Sequence, residues 1–199
     1  MQIKAGDGRH AASSEYIATS REASMPDGAA VKDTIRTAMP LLVRNEGIWE
    51  GWYRYYSAET GALVDQHKSR LLCRFLDGDP EIYHQTNYYF WEDGKREVRE
   101  FPAEYRNGRI WWDNDLIKGW AAQMQPDDYN RSTCLNWVRK GEPDLYLYEM
   151  IQLSDCGQMR CRTWHWIKGG KCFQRTLIDE RKVTSDWKSF TDFDTPPAL

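Results

Sequence analysis

Between residues 48 and 183 the chain reverses direction again and again without a helical stretch in between. Ten strand-like runs follow one another, at 48–56, 62–76, 82–92, 95–105, 109–114, 116–125, 131–139, 144–153, 159–168 and 171–183. The links between them are chemically explicit. Asp93-Gly94, Asn107-Gly108 and Gly169-Gly170 are two-residue hairpin signals, because these residues accept the positive φ that a type I′ turn requires. Asp77-Gly78-Asp79-Pro80 and Cys156-Gly157 are looser turns. Parallel sheets need crossover helices, so the absence of helical periodicity here excludes a βαβ fold. A long antiparallel meander leaves two unpaired edges unless it closes on itself. The expectation is therefore an all-β, antiparallel up-and-down barrel of about ten strands, with a β-sandwich as the alternative. A barrel of roughly eight to ten strands leaves space inside for one small ligand.

The flanks read differently. Residues 1–24 are rich in Ala, Ser and Gly without periodicity, which predicts a disordered arm. Residues 25–47 form a short capping helix region. Asp27 is its candidate cap, with Val31, Ile35 and Ala38 at helical spacing. Pro40 breaks or restarts that helix ahead of an apolar plug, Leu41-Leu42-Val43. Residues 184–199 make a C-terminal tail beyond the barrel domain, 48–183.

Charge and composition narrow the partners. With 27 Lys+Arg against 30 Asp+Glu the net charge is −3, and no dense basic cluster exists to neutralise phosphates. Nucleic acid is therefore not expected as a partner. Neither is a membrane, since no run approaches the ~20 apolar residues needed to span one. The first residues lack the apolar core of a secretory signal. Cys73, Cys134, Cys156, Cys161 and Cys172 are odd in number and form no CxxC pair, which predicts reduced thiols, a cytoplasmic setting and no zinc. Mean hydropathy is low, −0.77. Yet the chain holds ten Trp and eleven Tyr, so its apolar surface is carried by amphipathic rings.

The motif Gly47-Ile48-Trp49-Glu50-Gly51-Trp52-Tyr53-Arg54-Tyr55 resembles the G-x-W-x-G-x-x-R-Y opening strand of fatty-acid-binding-protein-like calycins. Further pieces recur in order: Gly61-Ala62-Leu63-Val64-Asp65, His84-Gln85-Thr86, Ile110-Trp111-Trp112-Asp113-Asn114 and Thr176-Leu177-Ile178-Asp179-Glu180. Together, over about residues 45–183, they are similar to the uncharacterised DUF3598-like family. The resemblance implies a closed calycin, lipocalin-like barrel with a central cavity. It also implies that Trp49 packs at the closed end under a cation from the last strand, for which Arg175 and Arg181 are the candidates. Nitrobindin-like relatives hold haem through a His on that strand. Residues 171–183 contain none, so haem is not expected, and no other cofactor or metal is called for. No activity comes with the resemblance.

Propagating faces through the turns gives a candidate lumen. If each two-residue turn sets the register, Trp164 pairs with Arg175 and Trp166 with Phe173. Likewise Tyr89 pairs with Val98 and Asn87 with Glu100, and the same face continues to Trp111. Inward Trp49 puts Tyr53 and Tyr55 inside. Tyr53, Tyr55, Asn87, Tyr89, Trp111 and Trp164 are thus candidate ligand-binding residues. Glu100, Glu149 and Arg175 are candidate catalytic residues, two carboxylates for acid/base work beside a cationic anchor. Glu149 is ambiguous by one register. His67, His84 and His165 read as exterior, with an acid/base set of His84, His165 and Glu149 if the faces are inverted. Tyr146, Tyr148 and Met150 form an outward row, a candidate homodimer surface. Three functions fit. One is binding of a small aromatic, polyene or hydroxylated metabolite, and another is a cofactor-independent isomerase, cyclase or lyase in the same cavity. The third is a filled barrel acting as a protein-interaction module.

Overall fold

The computed structural model describes residues 33–125, 129–142 and 144–199. The proposed arm, Asp27 and Val31 lie outside the described residues. Two short helices, α1 (Ile35–Ala38) and α2 (Pro40–Val43), precede ten strands. These are β1 (Gly47–Ser57), β2 (Leu63–Leu76), β3 (Ile82–Phe90), β4 (Arg96–Arg106), β5 (Arg109–Asp113), β6 (Ile117–Met124), β7 (Ser132–Arg139), β8 (Leu145–Leu153), β9 (Met159–Lys168) and β10 (Lys171–Thr184). Each strand pairs antiparallel with its neighbours in sequence, and β10 returns to pair with β1, closing the barrel. No sheet edge remains, which is how a meander this long avoids edge-to-edge association. No helix among the described residues is long and apolar enough to cross a membrane, and the five cysteines form no disulfide.

The helices plug one end. Thr34 caps α1 through its side chain, which accepts from the Thr37 N–H. Pro40 starts α2 at the first helical turn, where its missing N–H costs nothing. Ile35, Met39, Leu41 and Leu42 are all buried. The unpaired N–H groups of this segment find barrel acceptors: Ile35 donates to Glu81 at 2.7 Å, and Leu41 and Leu42 donate to the Gln123 amide oxygen. Trp49 packs at this closed end, fully buried, with its indole N–H on the Asn45 carbonyl at 2.8 Å. Cations do cover it, but not the ones expected. Arg160 of β9 lies 4.4 Å from its ring and Lys182 4.9 Å, whereas Arg175 and Arg181 are exposed.

The tail after Thr184 runs across the outside of β2 and β3. Arg70 donates to the carbonyls of Asp192 and Thr195, Lys68 donates to that of Pro197, and Phe193 stacks on Tyr88. Arg70 is consequently buried although it points away from the lumen.

Two registers differ from the sequence reading, and each moves candidate residues. Asp93-Gly94 belongs to a three-residue loop, closed by Trp91 N–H donating to Lys95 C=O, with Gly94 at φ 86°. Three-residue hairpins place Gly in the left-handed region and slip the pairing by one. Tyr89 therefore pairs with Glu97, and Asn87 with Arg99. Asn107-Gly108 does form a two-residue turn, so the slip passes unchanged into β5. Glu100 and Trp111 thus lie on the outer face, and Glu97, Arg99, Ile110 and Trp112 lie on the inner one. In β10 the Gly169-Gly170 turn is also two residues, but a bulge at Phe173 shifts the pairing. Trp164 faces Thr176 and Trp166 faces Gln174, which puts Arg175 and Phe173 outside and Thr176, Ile178 and Glu180 inside.

Candidate functional site

The interior divides into a filled side and a side with a void. On the filled side, β1–β3 and β9–β10 contribute long polar and aromatic side chains. Arg162 donates from Nε to Glu149 at 2.6 Å and from Nη1 to the Tyr53 hydroxyl at 2.8 Å, and Nη1 also lies 3.7 Å from Glu180. Arg160 pairs with Glu180 through Nε and reaches the Asn45 side-chain oxygen at 3.0 Å. All four ionised side chains are buried. Burial opposes charge on both guanidiniums, but the carboxylates they face outweigh it and hold both well above their ordinary pKa. Gly51 makes room for this cluster: a β-carbon there would meet the Asp179 carbonyl and the Glu180 side chain at under 3 Å.

A ladder of hydrogen bonds runs up the inner face of β3, as the two-residue period allows. Tyr83 donates to Gln85, Gln85 to Asn87, and Asn87 to the Tyr89 hydroxyl. Above it sits an aromatic box around His67. The His67 ring stacks on Tyr53 at 4.9 Å and meets Tyr89 and Trp91 at 4.7 and 4.5 Å. With Nδ1 donating to the Lys68 carbonyl, Nε2 accepts from Tyr55 at 3.1 Å. Burial pulls the His67 pKa down to about 4, so the imidazole is neutral at neutral pH. Burial pushes the Tyr53 and Tyr55 hydroxyls up, leaving both as proton carriers.

The void lies against β4–β8, a cavity of about 60 Å³. Ile110, Trp112, Ile117, Leu135 and Trp137 form its apolar wall, and small side chains, Ala121 and Thr133, leave the space. Across from them, Asn87, Glu149, Arg162 and Trp164 supply the polar side. The cavity runs from Leu42 at the helical plug to Leu116 and Arg139 at the opposite end. Arg139 is 21% exposed, so solvent reaches that end. At 10–15 Å³ per water the volume holds about four to six waters, or the tip of a planar molecule.

The nine sequence-derived candidates therefore separate into three groups. Asn87, Glu149 and Trp164 line the cavity. Tyr53, Tyr55 and Tyr89 belong to the packed aromatic side. Glu100, Trp111 and Arg175 lie outside the lumen: Glu100 is 4.0 Å from His84, and Trp111 sits under Arg106 and Arg109. His84 and His165 face outward, as do Tyr146, Tyr148 and Met150. His67, read as exterior, is inside. The sequence reading did not single out Arg160, Arg162 or Glu180. Their signal was present in Arg160-x-Arg162-x-Trp164-x-Trp166, where alternate positions share one face.

These features define a calycin-like, lipocalin-like closed barrel with an aromatic and polar cavity. The solved structures agree on the fold. A protein of unknown function from the DUF3598 family of Nostoc punctiforme matches over 71% of this chain, with a TM-score of 0.56 and 14% identity. This chain spans about half, 49%, of that protein. The S-type phycobiliprotein lyase CPES of Guillardia theta matches over 73% of this chain and 92% of its own, with a TM-score of 0.56 and 12% identity. No family model matches the sequence, and no curated protein does.

Proposed function

We propose that the barrel binds a small planar aromatic or polyene metabolite in the cavity against β4–β8. One observation carries this reading: a void persists in an interior otherwise packed with aromatic rings and paired ions, and its walls are apolar with polar groups gathered on one side. Binding sites have that composition, with apolar area supplying affinity and a few placed polar groups fixing orientation. The ligand enters from the Leu116–Arg139 end, since α1 and α2 close the other. Its inner tip fills the void and its remainder extends toward the mouth.

An isomerase, cyclase or lyase reading uses the same cavity. It draws on the lyase named for the Guillardia theta structure and on the carboxylate of Glu149 at the cavity wall. Binding is the simpler conclusion, because Glu149 is committed to Arg162 at 2.6 Å and holds a guanidinium rather than a free site for a substrate proton.

The test is a titration with acetophenone, followed by tryptophan fluorescence, on the native chain and on Ala121→Leu. Saturable quenching is expected for the native chain, since Trp112, Trp137 and Trp164 all line the cavity. The added side chain in Ala121→Leu fills the void and should weaken binding at least tenfold. Equal quenching of both proteins, or none of the native chain, defeats the pocket reading.

A further inference from the structure

Three indole N–H groups of the barrel interior find acceptors. Trp49 donates to the Asn45 carbonyl, Trp112 to the Phe101 carbonyl at 3.3 Å and Trp166 to the Thr176 hydroxyl at 2.8 Å. Trp164 breaks the pattern. It is 8% exposed and lines the cavity, yet its indole N–H has no hydrogen-bond partner in the protein. An indole nitrogen is a donor only, and a buried donor without an acceptor has given up its hydration with nothing in return. The ring itself is held firmly, with Tyr53, Trp137 and Trp166 packed around it at 5.6–6.0 Å between centroids. The donor is therefore fixed in place before any ligand arrives.

The charge beside it limits what that ligand can be. Arg160 and Arg162 contribute two positive charges to the buried cluster, and Glu149 and Glu180 two negative ones. Arg162, the guanidinium at the cavity wall, is already engaged by Glu149, Tyr53 and Glu180. Arg139, at the exposed end, pairs with Glu142 at 3.9 Å. No surplus positive charge faces the inner end of the void, so a carboxylate or phosphate there would sit in a low-dielectric site without a free counter-ion. A neutral acceptor has no such penalty.

The geometry points to Trp164 as a specificity-determining donor: the cavity selects an uncharged planar ligand whose inner end carries a carbonyl or ether oxygen, which accepts from the Trp164 indole N–H. This rests on the pocket reading and goes further, because an apolar pocket alone would favour a hydrocarbon.

The experiment compares three probes on the full chain: acetophenone, its hydrocarbon counterpart α-methylstyrene, and benzoate. Affinities are measured for the native protein and for Trp164→Phe, which keeps an aromatic ring and removes the N–H. One neutral hydrogen bond corresponds to about a tenfold change in affinity. The acetophenone-to-α-methylstyrene affinity ratio should fall about tenfold in Trp164→Phe, and benzoate should bind weakest to the native chain. A second readout needs no folded variant. In the ¹⁵N-labelled native protein, the Trp164 indole N–H resonance should move downfield with acetophenone and not with α-methylstyrene. An unchanged ratio together with an unmoved resonance overturns the assignment while leaving the pocket intact. Benzoate binding tightest overturns the neutral-ligand argument. Failure of all three probes to bind removes the pocket itself, and this inference with it.

Discussion

The two sides of the barrel interior solve the same packing problem in opposite ways. Against β1–β3 and β9–β10, the space is filled by Arg160, Arg162, Glu180, Tyr53 and His67, with Glu149 reaching in from β8, and most polar atoms find a partner, Arg160 Nη2 and Glu180 Oε1 being the two that make no hydrogen bond. Against β4–β8 the inward residues are mostly aliphatic or small, and a void survives. Polar side chains held by directional bonds make a rigid wall, since each depends on its partner's position. Apolar side chains pack without directional demand, so removing bulk at Ala121 and Thr133 leaves space rather than an unpaired group. The rigid side positions Asn87, Glu149 and Trp164 at the boundary, and the apolar side supplies the volume.

The sharpest way to break the contrast is to remove one carboxylate from the rigid side. Glu180→Ala leaves Arg160 without its ion pair and deprives Arg162 of its second one. An uncompensated buried charge costs about 3–5 kcal/mol. Urea denaturation should show a loss of that size, the largest of the effects considered. A loss below about 1 kcal/mol would mean that the cluster adds little to stability and that the contrast is one of shape only.

Acid tests the same side more gently through His67. Its folded-state pKa is lowered by burial to about 4 from an ordinary 6.5, so between those values the unfolded chain binds a proton that the folded chain refuses. Stability from this group is complete above pH 6.5 and is lost as pH falls toward 4. The full loss is about 3 kcal/mol, from roughly 2.5 pK units at 1.36 kcal/mol each. Carboxylates titrate in the lower part of that window, so the measurement is the difference between the native chain and His67→Phe. The native curve should fall more steeply from pH 6.5 to 4, and parallel curves would show that His67 is not shielded.

How the sequence conveyed these two sides differs as well. Strand number, order and antiparallel closure were legible, because turn residues and the absence of helical periodicity carry them directly. The inward face of β1 followed from the Trp49 motif, whereas those of β3 and β9 came out right although Glu97, Arg99, Thr176 and Glu180 on the partner strands read as exterior and lie inside. What failed was counting at single positions. A type I′ pair and a three-residue loop ending in left-handed Gly share the letters Asp-Gly, and only the Trp91 N–H to Lys95 carbonyl bond separates them. One residue of slip sent Glu100 and Trp111 outside. The bulge at Phe173 did the same to Arg175, and neither Phe173 nor its neighbours Cys172 and Gln174 is a glycine that would announce it. His67 was missed for another reason. Nothing in Asp65-Gln66-His67-Lys68 marks an interior strand, and only the rings of Tyr53, Tyr89 and Trp91, from other strands, make it a core position.

The smallest expected effect comes from the void. Ala121 is 1% exposed, Gly119 and then Ile117 share its face of β6, and Ala121 and Ile117 both line the cavity. Enlarging Ala121 to Leu adds apolar contacts where the packed side would only gain a clash. About 20–25 cal/mol per Å² of newly buried surface acts in its favour, and any strain from neighbours acts against it. The net change should be a gain of about 0–1 kcal/mol, read as an unchanged or slightly raised melting temperature. Overpacking a filled core costs about 1–3 kcal/mol instead. A loss of that size at Ala121 would show that the void is already committed to neighbouring side chains, and the two sides of the barrel would then be packed alike.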